Sequence, residues 1–280
     1  MQMSEMNRAD AALLEYPPLH DIGPFPPDAV FFGGKRREAD FGGDGGIAQG
    51  AAFCSDEVAR IRDLIHARLV ENAHELSAAS ADLIAATPLA QYHTIANHKE
   101  HGRLLSKLGR ILPAETVAEI RGMSFFDYAR EAFGPFELSD EEQIGHEQIC
   151  FRVVRPEARE DVGTVHRDTW FWDHYGFVVP PGKSRVKVWV PVCGTPSQAG
   201  LLLAPGSHRG ACGYRTVMEG GKLGFLPEIG ASDLPLGRFC GSPGEPVMFN
   251  HDVLHVGSLN RGSECRVSFE ITILFDTADD

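Results

Sequence analysis

From Glu147 onward the chain breaks into short β-branched runs divided by Gly/Pro turns, and this texture limits the folds open to it. Ile149 to Val154 is β-rich and stops at Arg155-Pro156, Arg185 to Val192 alternates, Gly200 to Ala204 reads as a short buried strand, and Arg266 to Phe275 as a long one. Several such strands between tight turns imply a sandwich or a barrel.

The first half has a different period. Ser55 before Asp56-Glu57 is a plausible N-cap, and Val58, Ile61, Ile65 and Leu69 follow at helical spacing toward Leu76. A second helix is expected over Ala81 to Ala86, and a third containing Leu104, Leu105, Leu108, Ile111 and Leu112 before Pro113. Ala114 to Ile120 and Phe125 to Phe133 read as further short helices. Residues 1 to 50 are rich in Pro and Gly and read as an irregular arm, pinned by Phe25, Phe31, Phe32 and Phe41. Its Lys35-Arg36-Arg37 run, next to Glu38 and Asp40, reads as a solvated charge cluster. No internal repeat or low-complexity linker interrupts the chain, so the helices are expected to pack on the outside of one β domain.

Within the β half, Val165-His166-Arg167-Asp168 carries the chemistry. On an extended strand, residues two apart share a side, so His166 and Asp168 can offer an imidazole nitrogen and a carboxylate oxygen to one point. Phe249 to Asn260 supplies a third ligand from a distant segment, and its pattern alone leaves both His251 and His255 open. Two imidazoles and one carboxylate on one face of an ion form the facial triad of non-haem Fe(II) oxygenases. His93, His98 and His101 lie in the helical half without a nearby carboxylate or cysteine pattern, and read as ordinary surface histidines.

Composition excludes several classes. The formal charge of -13 disfavours nucleic acid and anionic membranes as partners. The longest apolar runs, such as Val186 to Val192, are too short for a bilayer, and Met1 to Tyr16 has no secretory pattern, so a cytoplasmic location is expected. Six cysteines without a C-x-x-C pair read as reduced, mostly buried thiols.

Taken in order, His166-x-Asp168, Trp189 on a strand, Leu201 to His208 with its Pro205-Gly206-Ser207-His208 turn, His255 with Asn260, and Arg266-x-Ser268 closely resemble the phytanoyl-CoA dioxygenase family. The resemblance covers about residues 147 to 275 and departs at Val256, where the family commonly has Gly after the distal histidine. It implies an α+β chain: a double-stranded β-helix (jelly roll, cupin-like) core with a largely helical N-terminal half packed on it. One catalytic domain is expected over 1–280, comprising the arm (1–50), a mainly helical part (51–140) and the jelly-roll core (141–280).

The same resemblance implies Fe(II) on His166, Asp168 and His255, with 2-oxoglutarate and O2 as cosubstrates and Arg266 holding the far carboxylate of 2-oxoglutarate. Family spacing favours His255 over His251, which would then orient a ligand from behind. Arg266 and Ser268 can both face the interior, where an Arg needs an anion. Gln148 and Lys187 are further candidates for cosubstrate or substrate contact, with surface-facing positions the simpler alternative. Trp170, Trp172, Asp173, His174 and Tyr175 are expected to form a lip over the iron and touch substrate. His208 is a substrate candidate whose alternative is a structural hydrogen bond. The Gly-rich segment Gly210 to Gly224 is expected to contribute a lid.

The expected reaction is hydroxylation of an unactivated C–H bond of a small metabolite in a biosynthetic pathway, releasing succinate and CO2. The substrate is free or carrier-borne, and the acidic chain leans away from CoA. Asp168 favours hydroxylation, or a related desaturation, epimerisation or ring closure, over halogenation, because the related halogenases lack this carboxylate. The rival from another class is a cupin-like Zn- or Mn-dependent isomerase or hydrolase on the same barrel, and a weaker one is a binding module without catalysis.

Overall fold

A computed structural model describes residues 22, 31–32, 46–219, 222–230 and 233–277. Most of the arm, with Phe25, Phe41 and Lys35-Arg36-Arg37, lies outside these residues. The described chain starts with β1 (Phe31–Phe32) and β2 (Ile47–Gln49), and then turns helical: α1 (Ser55–His74), α2 (Ala78–Ala85), α3 (His98–Leu104), α4 (Ala114–Arg121) and α5 (Ser124–Phe133). It continues through β3 (Phe136–Leu138), β4 (Cys150–Val154), α6 (Asp168–Tyr175), β5 (Lys183–Cys193), β6 (Leu201–Leu203), β7 (Tyr214–Glu219) and β8 (Lys222–Pro227). The last strands are β9 (Gly237–Phe239), β10 (Val247–Asn250), β11 (His255–Gly257) and β12 (Arg266–Asp276).

Two helix readings need correction. Cys54, not Ser55, is the N-cap of α1, and Glu57 reaches back to its backbone N–H at 2.9 Å. The expected third helix splits, because the chain turns tightly around Asn72, whose Nδ2 donates to the carbonyls of Leu104 and Gly109. A Cβ on Gly109 would lie 2.4 Å from the Leu104 carbonyl oxygen, so this close approach requires glycine. A 3-10 turn over Leu108–Arg110 follows, and Ile111 bridges to Cys150 instead of continuing the helix.

The strands form a double-stranded β-helix. The larger sheet runs β1-β2-β10-β5-β12-β3, with β4 also paired to β12, and the smaller runs β11-β6-β9. A bridge between His166 and His255 adds the chain before α6 to the edge of the smaller sheet. On β5 and β12, side-chain alternation sorts residues to opposite faces. Val186, Val188, Val190 and Val192 join Val267, Phe269, Ile271 and Ile273 on the outer face, in one core cluster with Ile61, Ile65 and Leu69 of α1 and Phe125 and Phe126 of α5. The helices therefore cover the outside of the larger sheet. Inside, Trp189, Leu201, Leu203, Phe239, Val247 and Phe249 close one part of the space between the sheets.

The segment expected to be a lid is partly the hairpin β7–β8, whose Phe225 is buried and packs edge-on against Phe171 and Tyr214. All six cysteines are free, and of these only Cys265 is fully buried, so the thiols are less sequestered than expected. Among the described residues no helix is long and apolar enough to cross a membrane.

His101 also departs from the surface reading. It is buried, and its Nε2 lies 3.2 Å from Oδ1 of Asp161, which takes 2.9 Å and 2.8 Å bonds from the Arg155 guanidinium. Burial alone would raise the Asp161 pKa, but the bonds from His101 and Arg155 more than offset it and hold the carboxyl well below its usual range. A depressed carboxylate contributes stability above its unfolded pKa of about 3.9, and that contribution is lost as pH falls toward the folded value. Asp161→Asn is expected to cost roughly 3 kcal/mol at pH 7, because His101 and Arg155 lose the buried carboxylate they share and only Glu160 still faces Arg155. Urea melts from pH 7 to pH 3 should show the gap between wild type and variant closing below about pH 4.

Candidate active site

Inside the larger sheet, the faces turned away from the helices carry charge. On β12 the row is Arg266, Ser268, Glu270 and Thr272, and registered beside it on β5 are Pro191 opposite Ser268, Trp189 opposite Glu270 and Lys187 opposite Thr272. On the other flank β4 sets Arg152 opposite Ser268, and Arg152 Nε lies 3.4 Å from Glu270 Oε1. Glu270 is held down to about 2; burial would raise it, but Arg152 and Lys187 outweigh that.

The smaller sheet brings in the imidazoles. His166 and His255 pair backbone to backbone and their ring centroids are 4.5 Å apart. Each ring is fixed by the carbonyl two residues before it, at 2.7 Å from His166 Nδ1 to Thr164 and 2.9 Å from His255 Nδ1 to Val253. A carbonyl only accepts, so Nδ1 carries the proton and the Nε2 lone pair faces the cavity. Burial and the neighbouring His255 lower the His166 pKa to about 4, against the pull of Asp168, which leaves this ring neutral at pH 7.

Asp168 arrives from a helix and not from the expected strand. The chain is extended through Arg167, and Asp168 then opens α6, where its backbone N–H donates to the His251 carbonyl at 3.2 Å. Its Oδ1 lies 3.8 Å from Nε2 of His166 and 3.7 Å from Nε2 of His255. That is too far for hydrogen bonds, but within the span of two bonds of about 2.1 Å to one ion. Oδ2 is buried without a hydrogen-bond partner, with Lys187 Nζ 3.9 Å away. Lys187 also stands 3.8 Å from Glu141 Oε2 and 3.3 Å from Thr272 Oγ1. Burial would raise the Asp168 pKa, yet Lys187 and the two imidazoles hold it below the usual range.

Arg266 is 3% exposed, and its Nη1 donates to the Gly200 carbonyl at 3.1 Å while Nε has no partner. A Cβ on Gly257 would meet its Nη2 at 2.9 Å, so the guanidinium lies against the backbone of β11. Gly257 is two residues from His255, about 7 Å along a strand. Among the described residues, no carboxylate lies within ion-pair distance of Arg266. Burial and the like charge of Arg152 lower its pKa to about 10.

The family model for phytanoyl-CoA dioxygenase (PhyH) matches residues 44–268. The chain belongs to the phytanoyl-CoA dioxygenase family. In class it is an Fe(II)- and 2-oxoglutarate-dependent oxygenase with O2 as cosubstrate. No curated protein matches it significantly in sequence. EctD from S. alaskensis, solved with 2-oxoglutarate and 5-hydroxyectoine, has a TM-score of 0.52 to this chain and 17% identity, over 91% of this chain and 80% of EctD. The non-heme monooxygenase ThoJ, in its apo form, gives a TM-score of 0.50 at 14% identity, over 84% and 77% of the two chains. These two likenesses establish the shared fold.

The donor set of this PhyH member, two imidazoles with Nε2 turned to the cavity and Asp168 Oδ1 within 3.8 Å of both, suits ferrous iron. His251 stands outside the triad, its Nδ1 3.2 Å from the Arg185 carbonyl and its Nε2 3.7 Å from Asp252. Gln148 is buried, but its amide is engaged by Asp140 and the Glu142 N–H, so it holds the 140–144 turn. Trp170 is not on a lip. It is buried and stacks on Tyr214 at 4.9 Å. His174 is exposed, edge-on to Tyr175 and Phe225. His208 packs on Gly46, where an added Cβ would meet its ring at 2.5 Å, while Ser207 of the same turn accepts from the Leu254 N–H. Glu141, Arg152, Glu270 and Arg185 were not singled out from the sequence. Extending the period of two from Arg266-x-Ser268 and from Lys187 reaches Glu270 and Arg185, whereas Glu141 sits on a turn with no pattern.

Lys187→Met should leave Asp168 and Glu141 facing each other uncompensated. A loss of roughly 3 kcal/mol is expected from urea melts of metal-free protein at pH 7. An unchanged midpoint would show that Lys187 does not balance these acids.

Proposed function

We propose that the protein hydroxylates an unactivated C–H bond of a small metabolite in a biosynthetic pathway. In this reading His166, Asp168 and His255 hold Fe(II), and Arg266 receives the far carboxylate of 2-oxoglutarate with Ser268 beside it. The observation that carries it is the buried Arg266 guanidinium without a carboxylate partner, about one residue pair along β11 from His255. An unpaired buried guanidinium is costly, and a planar fork matches a carboxylate two bonds at a time. The zinc or manganese isomerase alternative has no use for this group.

When bound, iron and 2-oxoglutarate supply the oxidising power, with O2 consumed and succinate and CO2 released. The chain supplies position and dryness. The Nδ1–H bonds to Thr164 and Val253 fix both imidazoles in the tautomer that leaves Nε2 free. Lys187 keeps Asp168 ionised, and the packing of Trp189, Phe239 and Phe249 keeps water from the inner end. Asp168 also fills the place that halogenation would need.

Anaerobic addition of Fe(II) and 2-oxoglutarate should change the visible absorbance of the wild type. Arg266→Gln is expected to raise the 2-oxoglutarate concentration for half the change at least tenfold, about 1.4 kcal/mol, with Fe(II) affinity unaltered. His255→Ala should abolish Fe(II) binding in equilibrium dialysis, while His251→Ala retains it. Absence of any 2-oxoglutarate-dependent change in the wild type would sink the reading.

A further inference from the structure

A cleft of about 220 Å3 lies between α6, the 139–143 turn and the start of β5. Its walls include Glu141, Trp172, Phe177, Val178, Arg185 and Leu274. The Arg185 guanidinium carbon lies 3.2 Å from a ring centroid of Trp172, and both side chains line the cleft. Its Nε is buried without a hydrogen-bond partner, and among the described residues no carboxylate pairs with it. We propose that this cleft is the substrate subsite and that Arg185 binds the carboxylate of a small monocarboxylic substrate.

The register connects the cleft to the metal. Arg185 and Lys187 stand on the same face of β5, one residue pair or about 7 Å apart, and Leu274 and Thr272 face them across β12. Lys187 reaches Asp168 at 3.9 Å and Glu141, in the cleft wall, at 3.8 Å. The lining reaches Glu141, and Lys187 links Glu141 to Asp168, so in this proposal a molecule anchored at Arg185 points past Glu141 toward the triad. Its anchor is separate from Arg266, so substrate and 2-oxoglutarate do not compete for one cation.

Charge selects the anion. The carboxylates acting on Arg185 are Glu141, Asp168, Asp252 and Asp173, so a single guanidinium is already set in an acidic surround. One negative charge on a planar group suits it. A phosphate dianion or a CoA diphosphate would bring more negative charge than Arg185 alone balances, because Lys187, the next cation on this face, is already committed to Asp168 and Glu141. The substrate class is then a free acid, not a CoA thioester. Half-burial strengthens the interaction, as stacking on Trp172 removes water from one face of the fork.

This inference rests on the oxygenase reading for its chemistry, but its test does not. Full-length metal-free protein is titrated calorimetrically with hexanoate, hexanamide and hexyl phosphate. Hexanoate is expected to bind at least tenfold more tightly than the other two, about 1.4 kcal/mol. Arg185→Gln should erase that preference and Arg185→Lys should keep part of it, with thermal midpoints near that of the wild type. Equal hexanoate affinity in wild type and Arg185→Gln overturns the proposal. So does a wild type that prefers hexyl phosphate, or one that gives no heat with hexanoate. Failure of the Fe(II)–2-oxoglutarate absorbance change bears on the oxygenase reading alone, because the calorimetric preference needs no metal.

Discussion

The whole structure depends on two neighbouring strands, β5 and β12, being apolar on one face and charged on the other. Their outer rows, four valines on β5 and Val267, Phe269, Ile271 and Ile273 on β12, must be kept from water. Burying side chains of this size is worth about 1.5–3 kcal/mol each. The inner rows, Arg185, Lys187, Arg266 and Glu270, cannot be buried in apolar surroundings without partners. A register slip of one residue would exchange the rows, placing guanidinium groups against α1 and valines in the cavity. The same alternation that fixes the fold therefore positions the chemistry.

Charge inside the barrel is balanced locally, and the balance explains what each residue does. Lys187 stands between Asp168 and Glu141, and Arg152 stands beside Glu270, so these five interior charges have partners. Among the described residues, Arg266 and Arg185 have no acid within ion-pair distance. Both guanidinium groups contact an aromatic face or a backbone carbonyl instead of an acid. In a chain with a net charge of -13, acids to pair them are plentiful. Their isolation is the observation on which both proposed anion sites rest.

How much of this the sequence revealed follows from the range of each signal. The β-rich half and its strands were legible because period-two alternation is local, and α1 because Val58, Ile61, Ile65 and Leu69 recur at helical spacing. His166, Asp168, His255 and Arg266 were legible through an ordered motif, although the residues alone could not choose between His251 and His255. The start of α6 was not legible. Thr169-Trp170-Phe171-Trp172 has a strand-like composition, and the helix there is decided by tertiary contacts, including the Asp168 N–H bond to the His251 carbonyl and the Thr169 hydroxyl on Asp252. Glu141 was invisible because a turn residue 46 positions from Lys187 enters the site only through the path of the chain.

That path gives the helical half a role in the site that it never touches directly. Helices α1 and α5 pack on the reverse side of β5, the strand that carries Arg185 and Lys187. The loop ahead of Arg266 is tied down separately, by Asn260, whose Nδ2 donates to the carbonyls of Val154 and Glu264 and whose Oδ1 accepts from Gly262. Ser258 accepts from the Gly200 N–H at 2.7 Å and joins the segment after His255 to the strand whose carbonyl holds Arg266. Each interior charge thus sits on backbone that is immobilised from behind, which is what a preorganised cavity requires. An interior cation that could swing to the nearest acid would pair with it. The outer apolar packing of β5 and β12 against α1 and α5 holds the backbone under Arg185 and Arg266 against such a movement.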